Sequence, residues 1–177
     1  MTIAEEFDRL GVLAATMGTD ARIFHTGFVV PDLDATIADM KDTLGVVFME
    51  PLEIAGVTLH SLDGTREDDI TVRFAYSTRP CHIELIERVA SKATFWSYDS
   101  RLRGHHIGVF TDDVAAEAGH LDSRGWEKVW WGTAPDGTMV FSLHETPYGF
   151  AVELVSSAGK EIFAQLFSQA DPDIPGK

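Results

Sequence analysis

Four side chains in this 177-residue sequence have the types and spacing to hold a metal ion. His25 and His106 each stand early in a short apolar run, Phe24-His25-Thr26-Gly27-Phe28-Val29-Val30 and His106-Ile107-Gly108-Val109-Phe110, and each has a glycine two residues on. Glu84 and Glu153 are the lone carboxylates of His82-Ile83-Glu84-Leu85-Ile86 and Ala151-Val152-Glu153-Leu154-Val155. Two neutral imidazoles and two carboxylates balance a divalent cation, and a carboxylate buried in such a run needs a partner. Any one of these residues alone reads as an ordinary core or surface residue. Their recurrence at matching places in two halves of the chain argues for one shared site. Side chains alternate along a strand, so His25 shares a face with Gly27 and His106 with Gly108, which leaves space above each imidazole.

The elements that must position them also repeat. In the first half, Arg22 to Val30 reads as a strand ended by Pro31. Leu33, Ile37, Met40 and Leu44 then recur at helical spacing, with Asp32 or Asp34 as the cap and Gly45 as the stop. Val46-Val47-Phe48-Met49 starts a second strand, Ile54 to Leu62 reads as strand or loop, and 63–69 is a polar turn. Ile70 to Tyr76 alternates as a half-buried strand should, and Ser77-Thr78-Arg79-Pro80 turns into the Glu84 strand. In the second half a strand over 106–110 leads through Asp112-Asp113 into a helix that Gly125 stops. Strands over 127–131, 139–143 and around Glu153 follow. The order is β-α-β-β-β twice. The division expected is an N-terminal helical extension at 1–20, a first module at 21–90, a connector at 91–103, a second module at 104–156, and a C-terminal helix and tail at 157–177. Ile162, Phe163, Leu166 and Phe167 share the apolar face of that last helix.

Composition narrows the function. Apolar residues at 45% and charged residues at 24% suit a folded domain. A formal net charge of −14 argues against nucleic acid and against anionic membrane surfaces. The single cysteine, Cys81, excludes an internal disulfide and a Cys-based zinc site and fits a reducing compartment. An acidic N-terminus and the lack of a long apolar run point to the cytoplasm. No phosphate loop, Ser-His-Asp arrangement or dinucleotide fingerprint is present.

On these pieces, together with Thr43-Leu44-Gly45, Gly104-His105-His106-Ile107-Gly108 and Tyr148-Gly149-Phe150-Ala151-Val152-Glu153-Leu154, the chain resembles the vicinal oxygen chelate superfamily over about residues 22–156. This is the glyoxalase/bleomycin-resistance/dioxygenase superfamily. The resemblance implies an α+β fold in which two βαβββ modules form an open, cup-shaped mixed sheet around a divalent metal. The metal ligands fall on His25, Glu84, His106 and Glu153. The ion is one of Zn, Ni, Co, Mn, Mg or Fe. The closest likeness is to the branch containing methylmalonyl-CoA epimerase and glyoxalase I. That branch implies a metal-dependent isomerase, epimerase or lyase that removes a proton next to a carbonyl and passes through an enediolate-type intermediate, with Glu84 or Glu153 as the base. Its substrate would be a small carbonyl compound, with Arg66, Arg73, Arg79 and Arg101 available to grip a CoA or glutathione tail. His82, Phe74, Tyr76, Trp96 and His144 are the candidates to wall the substrate pocket. Two alternatives stand beside it, an extradiol-type Fe(II) dioxygenase and a non-catalytic protein that sequesters small molecules. A homodimer is expected, because an open sheet leaves edges to pair.

Overall fold

The structure, a computed structural model, describes residues 23–79, 81–87 and 105–171. The expected N-terminal helix, the 91–103 connector with Trp96, and the end of the tail lie outside the described residues.

The elements run β1 (Ile23–Val30), α1 (Leu33–Leu44), β2 (Leu52–Ser61), β3 (Arg66–Tyr76) and β4 (His82–Glu87). They continue β5 (His106–Thr111), α2 (Val114–Ser123), β6 (Glu127–Thr133), β7 (Met139–Glu145), β8 (Ala151–Ser156), a 3₁₀ turn (Ser157–Gly159) and α3 (Lys160–Ala170). The β-α-β-β-β order therefore occurs twice, as the sequence repeat predicts. α1 and α2 each begin on an aspartate cap. Asp32 accepts from Ala35 N at 2.9 Å, and Asp113 accepts from Ala116 N at 2.9 Å. Gly45 closes α1 in the left-handed region at φ 68°, where a side chain would be strained.

Two strand assignments shift. Val46 to Met49 forms no strand, only an isolated bridge from Phe48 to Ser77, and the second strand is the long β2 instead. β3 begins at Arg66, inside the stretch that reads as a polar turn. β3 reaches back over these polar residues because Arg66 and Glu67 pair with His60 and Leu59 of β2.

The sheet is a mixed, curved cup that closes on itself in the order β1-β4-β3-β2-β6-β7-β8-β5. One seam joins the modules where β1 runs antiparallel to β5. The other joins β2 to β6, pairing Thr58 to Ser61 with Thr133 to Trp130. The second seam closes what the sequence leaves as an open cup. Each described strand consequently has a neighbour on both sides, although β2 meets β6 only over Thr58–Ser61 and β3 meets β4 only over Phe74–Tyr76.

Apolar residues fill three layers. Inside the barrel lie Leu59, Val72, Phe74, Tyr76, Ile86 and Leu143, joined by Phe163 and Phe167 of α3. Leu33, Phe48, Ala75 and Leu85 pack in a second cluster with Ile37 and Met40 of α1. Val114 and Ala118 of α2 pack on Val152 and Leu154. α3 is fastened at its far end by buried Asp171, whose carboxylate takes the Arg79 Nε–H at 2.9 Å and a Thr78 hydroxyl at 3.4 Å. Ile162, expected on the packed face, is 59% exposed. No helix among the described residues is long and apolar enough to cross a membrane.

Candidate metal centre

The closing of β1 on β5 brings the two histidines together. In that antiparallel register His25 lies opposite Gly108, and Gly27 lies opposite His106. Each imidazole occupies the space that the other module's glycine leaves. A β-carbon at Gly27 would fall 2.0 Å from His106 Cε1, and one at Gly108 would fall 1.9 Å from His25 Cε1. The spacing His-x-Gly thus finds its use across the seam rather than above its own histidine. Parallel pairing of β1 with β4 and of β5 with β8 adds the carboxylates, placing Glu84 beside Gly27 and Glu153 beside Gly108.

All four residues are buried, and one ligand atom from each lies within 4.8 Å of the others. His25 Nε2 is 3.1 Å from His106 Nε2, 3.2 Å from Glu84 Oε2 and 3.3 Å from Glu153 Oε2. His106 Nε2 is 3.0 Å from Glu84 Oε2 and 3.5 Å from Glu153 Oε2. Donors about 2.1 Å from a common ion stand about 3.0 Å apart at a right angle and about 3.4 Å apart at the tetrahedral angle. The five separations given, 3.0–3.5 Å, lie close to that range, so the set fits a divalent ion.

Electrostatics agree. Burial alone would push the His106 imidazole down, but the Glu153 charge and hydrogen bonds to both carboxylates outweigh it and lift it to about 10. His25 moves up for the same reason, with Glu84 the main opponent of burial. Glu84 goes the other way. Burial would raise it, yet the His25 charge and the hydrogen bonds from both imidazoles hold it well below the usual carboxylate range. Glu153 is also lowered, against burial and the neighbouring Glu84 charge, by His106 and by bonds from both rings. The two carboxylates demand positive charge between them.

The pseudo-twofold symmetry is broken at one position. Tyr76 of β3 lies in register opposite Glu84, whereas Leu143 of β7 lies opposite Glu153. Tyr76 is buried beside Glu84; burial, then the Glu84 and Glu153 charges, keep its hydroxyl protonated far above the usual phenol range. Glu84 thus has a phenol on the neighbouring strand, and Glu153 has hydrocarbon there.

The remaining pocket candidates separate. Phe74 and Tyr76 line a cavity that reaches both Glu84 and Glu153. His82 does not line it; its Nδ1 sits 2.6 Å from Ser77 O, and its ring stacks on Phe167 at 4.5 Å. His144 sits on the neighbouring position to Leu143, toward α2, with Nε2 3.1 Å from Ser142 Oγ and Nδ1 3.1 Å from Trp126 O. Sequence reasoning missed Val57, Val72, Phe141 and Phe163 as cavity residues. Their alternation or helical spacing marks them as core, and only the closed barrel shows which core residues leave room beside the carboxylates.

Known proteins agree with this architecture. The family model described as Glyoxalase/Bleomycin resistance protein/Dioxygenase superfamily matches residues 24–141. The chain belongs to that superfamily. Among solved structures, the methylmalonyl-CoA epimerase of Mycobacterium tuberculosis superposes with a TM-score of 0.50 at 21% identity, covering 79% of this chain and 90% of that one. A variant methylmalonyl-CoA epimerase of Streptomyces coelicolor, in complex with 2-nitronate-propionyl-CoA, gives 0.48 at 22% identity, covering 77% and 97%. At such identity the likeness is one of fold. No curated protein sequence matches the chain.

Proposed function

We propose that the chain is a metal-dependent isomerase, epimerase or lyase that takes a proton from the carbon next to a carbonyl of a small substrate. The observation that carries this is the buried cluster of His25, Glu84, His106 and Glu153, drawn from both modules onto one point. These four side chains would hold one divalent ion. When bound, such an ion acts as a Lewis acid on a carbonyl oxygen and makes the neighbouring C–H acidic. The fold of the epimerase neighbours is consistent with this chemistry.

The asymmetry at Tyr76 supports different tasks for the two carboxylates. Glu84 has the Tyr76 phenol opposite it on the neighbouring strand and serves as a positioned ligand. Glu153, opposite Leu143, borders the cavity with only hydrocarbon on that side and is the base that takes the proton and returns it. The surrounding hydrocarbon keeps bulk water from competing for that proton.

Elemental analysis of purified protein is expected to find about one divalent ion per chain, and little in His106→Ala. With a panel of α-hydroxy and α-keto carbonyl compounds in D2O, deuterium is expected to enter the acidic C–H position. Glu153→Gln should slow that exchange by roughly 10²-fold or more, the scale of general-base catalysis. A wild-type chain that takes up no divalent ion would sink the proposal. Full exchange by Glu153→Gln would transfer the base to Glu84.

A further inference from the structure

The cavity beside the carboxylates restricts what they can meet. It measures about 130 Å³, and its lining extends from Ile54, 49% exposed, down to Glu84 and Glu153, each 5% exposed. Between them the wall is hydrocarbon, made by Val57, Val72, Phe74, Ile86 and Val155, with Phe163 contributed by α3. An apolar cavity of about 150 Å³ takes up benzene, and an eight-stranded barrel has room for side chains or one small ligand. The volume therefore suits a phenyl ring or a branched alkyl group of similar size.

Charge restricts it further. Apart from Glu84 and Glu153, no ionised side chain lines the cavity among the described residues, and no amide does. Among the described residues, the arginines that could grip an anionic tail are engaged elsewhere. Arg73, flanked in sequence by the cavity residues Val72 and Phe74, donates to Asp34 at 2.7 Å and to Glu87 at 3.3 Å. Arg66 is bound to Asp68, and Arg79 to Asp171. A free carboxylate or phosphate placed in the cavity away from the four-residue cluster would lose its hydration against hydrocarbon, with no cationic side chain in the lining among the described residues to compensate.

We propose that this cavity receives an uncharged, apolar substituent about the size of a phenyl ring, borne by a substrate whose two neighbouring oxygens reach the His25–Glu84–His106–Glu153 cluster. The placement of the oxygens rests on the metal centre proposed above; the nature of the substituent rests on the cavity alone. Acyl groups carrying a second, free carboxylate are excluded as the buried part of the substrate.

The test uses the full chain loaded with zinc and three probes that present the same pair of oxygens: acetohydroxamate, benzohydroxamate and succinic acid monohydroxamate. Isothermal titration is expected to show benzohydroxamate binding roughly ten- to a hundredfold tighter than acetohydroxamate, the scale of burying a phenyl-sized group. The carboxylated probe should bind no more tightly than acetohydroxamate. Val72→Phe, which fills the cavity, should bring the ratio of benzo- to acetohydroxamate affinity close to one, each variant serving as its own reference for folding. Equal binding of the two neutral probes by the wild-type chain, or preference for the carboxylated one, overturns the proposal. If the chain holds no zinc and no hydroxamate binds, the metal centre itself fails. The cavity is then tested in the metal-free protein with toluene against propanoate, followed by nuclear magnetic resonance. Saturable binding of toluene alone upholds the apolar occupant, and its absence overturns it.

Discussion

Gly27 and Gly108 control the site although neither carries a ligand atom. Each leaves room for the imidazole opposite, and that ring is held by two carboxylates, so it cannot swing aside as a flexible chain end would. Gly27→Ala is expected to displace His106, and Gly108→Ala to displace His25, lowering zinc affinity by roughly 10- to 100-fold, as loss of a positioning partner does at metal sites. Competition with a chromophoric chelator measures this, and far-UV circular dichroism checks that the barrel persists. Unchanged affinity in both variants would show that the rings have other room. The four donors were legible in the sequence because they recur at matching places, but the purpose of the glycines was not. His-x-Gly states that space exists on a strand face; only the register of β1 against β5 shows which group takes it.

At the scale of elements, the two outer attachments of the barrel behave differently. α3 contributes Phe163 and Phe167 to the interior and is fastened by Asp171. Arg79 is 65% exposed, so solvent screens that ion pair, and Asp171→Asn is expected to cost about 1 kcal/mol. In a chain of this size that corresponds to a fall of roughly 2–4 °C in the thermal midpoint, measured by calorimetry. The contact between α2, β6 and β7 carries a titrating group instead. Burial pushes the His144 imidazole below its ordinary value, opposed by the Trp126 carbonyl and the Asp122 charge and aided by Lys128. The folded chain therefore favours neutral His144, while the unfolded chain accepts a proton near the ordinary value. Stability complete above about pH 6.5 should drain as the pH falls below it. Urea unfolding at pH 7 and pH 5 should show this loss, and His144→Gln should make the slope shallower. Helices and caps were legible in the sequence because Asp32, Asp113 and Gly45 act locally. β2 was less so, since Gly56 and its shifted register break the alternation on which a strand assignment depends.

For the whole molecule, the two modules meet along both seams, and ligands from each converge at one of them. A bound ion should therefore stabilise the barrel as a unit. At a free zinc concentration 100 times the dissociation constant, linkage amounts to about 2.7 kcal/mol. Chelation should lower the thermal midpoint by roughly 5–10 °C in a single transition. A shift confined to one of two separable transitions would mean that the halves melt independently. The reciprocal fit of histidine and glycine also guards the assembly of the first seam. Sliding β5 along β1 by one two-residue step sets His25 directly against His106 in one direction and Gly27 against Gly108 in the other. The first misalignment crowds two rings into one place and the second leaves a hole, so the strands proofread their own alignment.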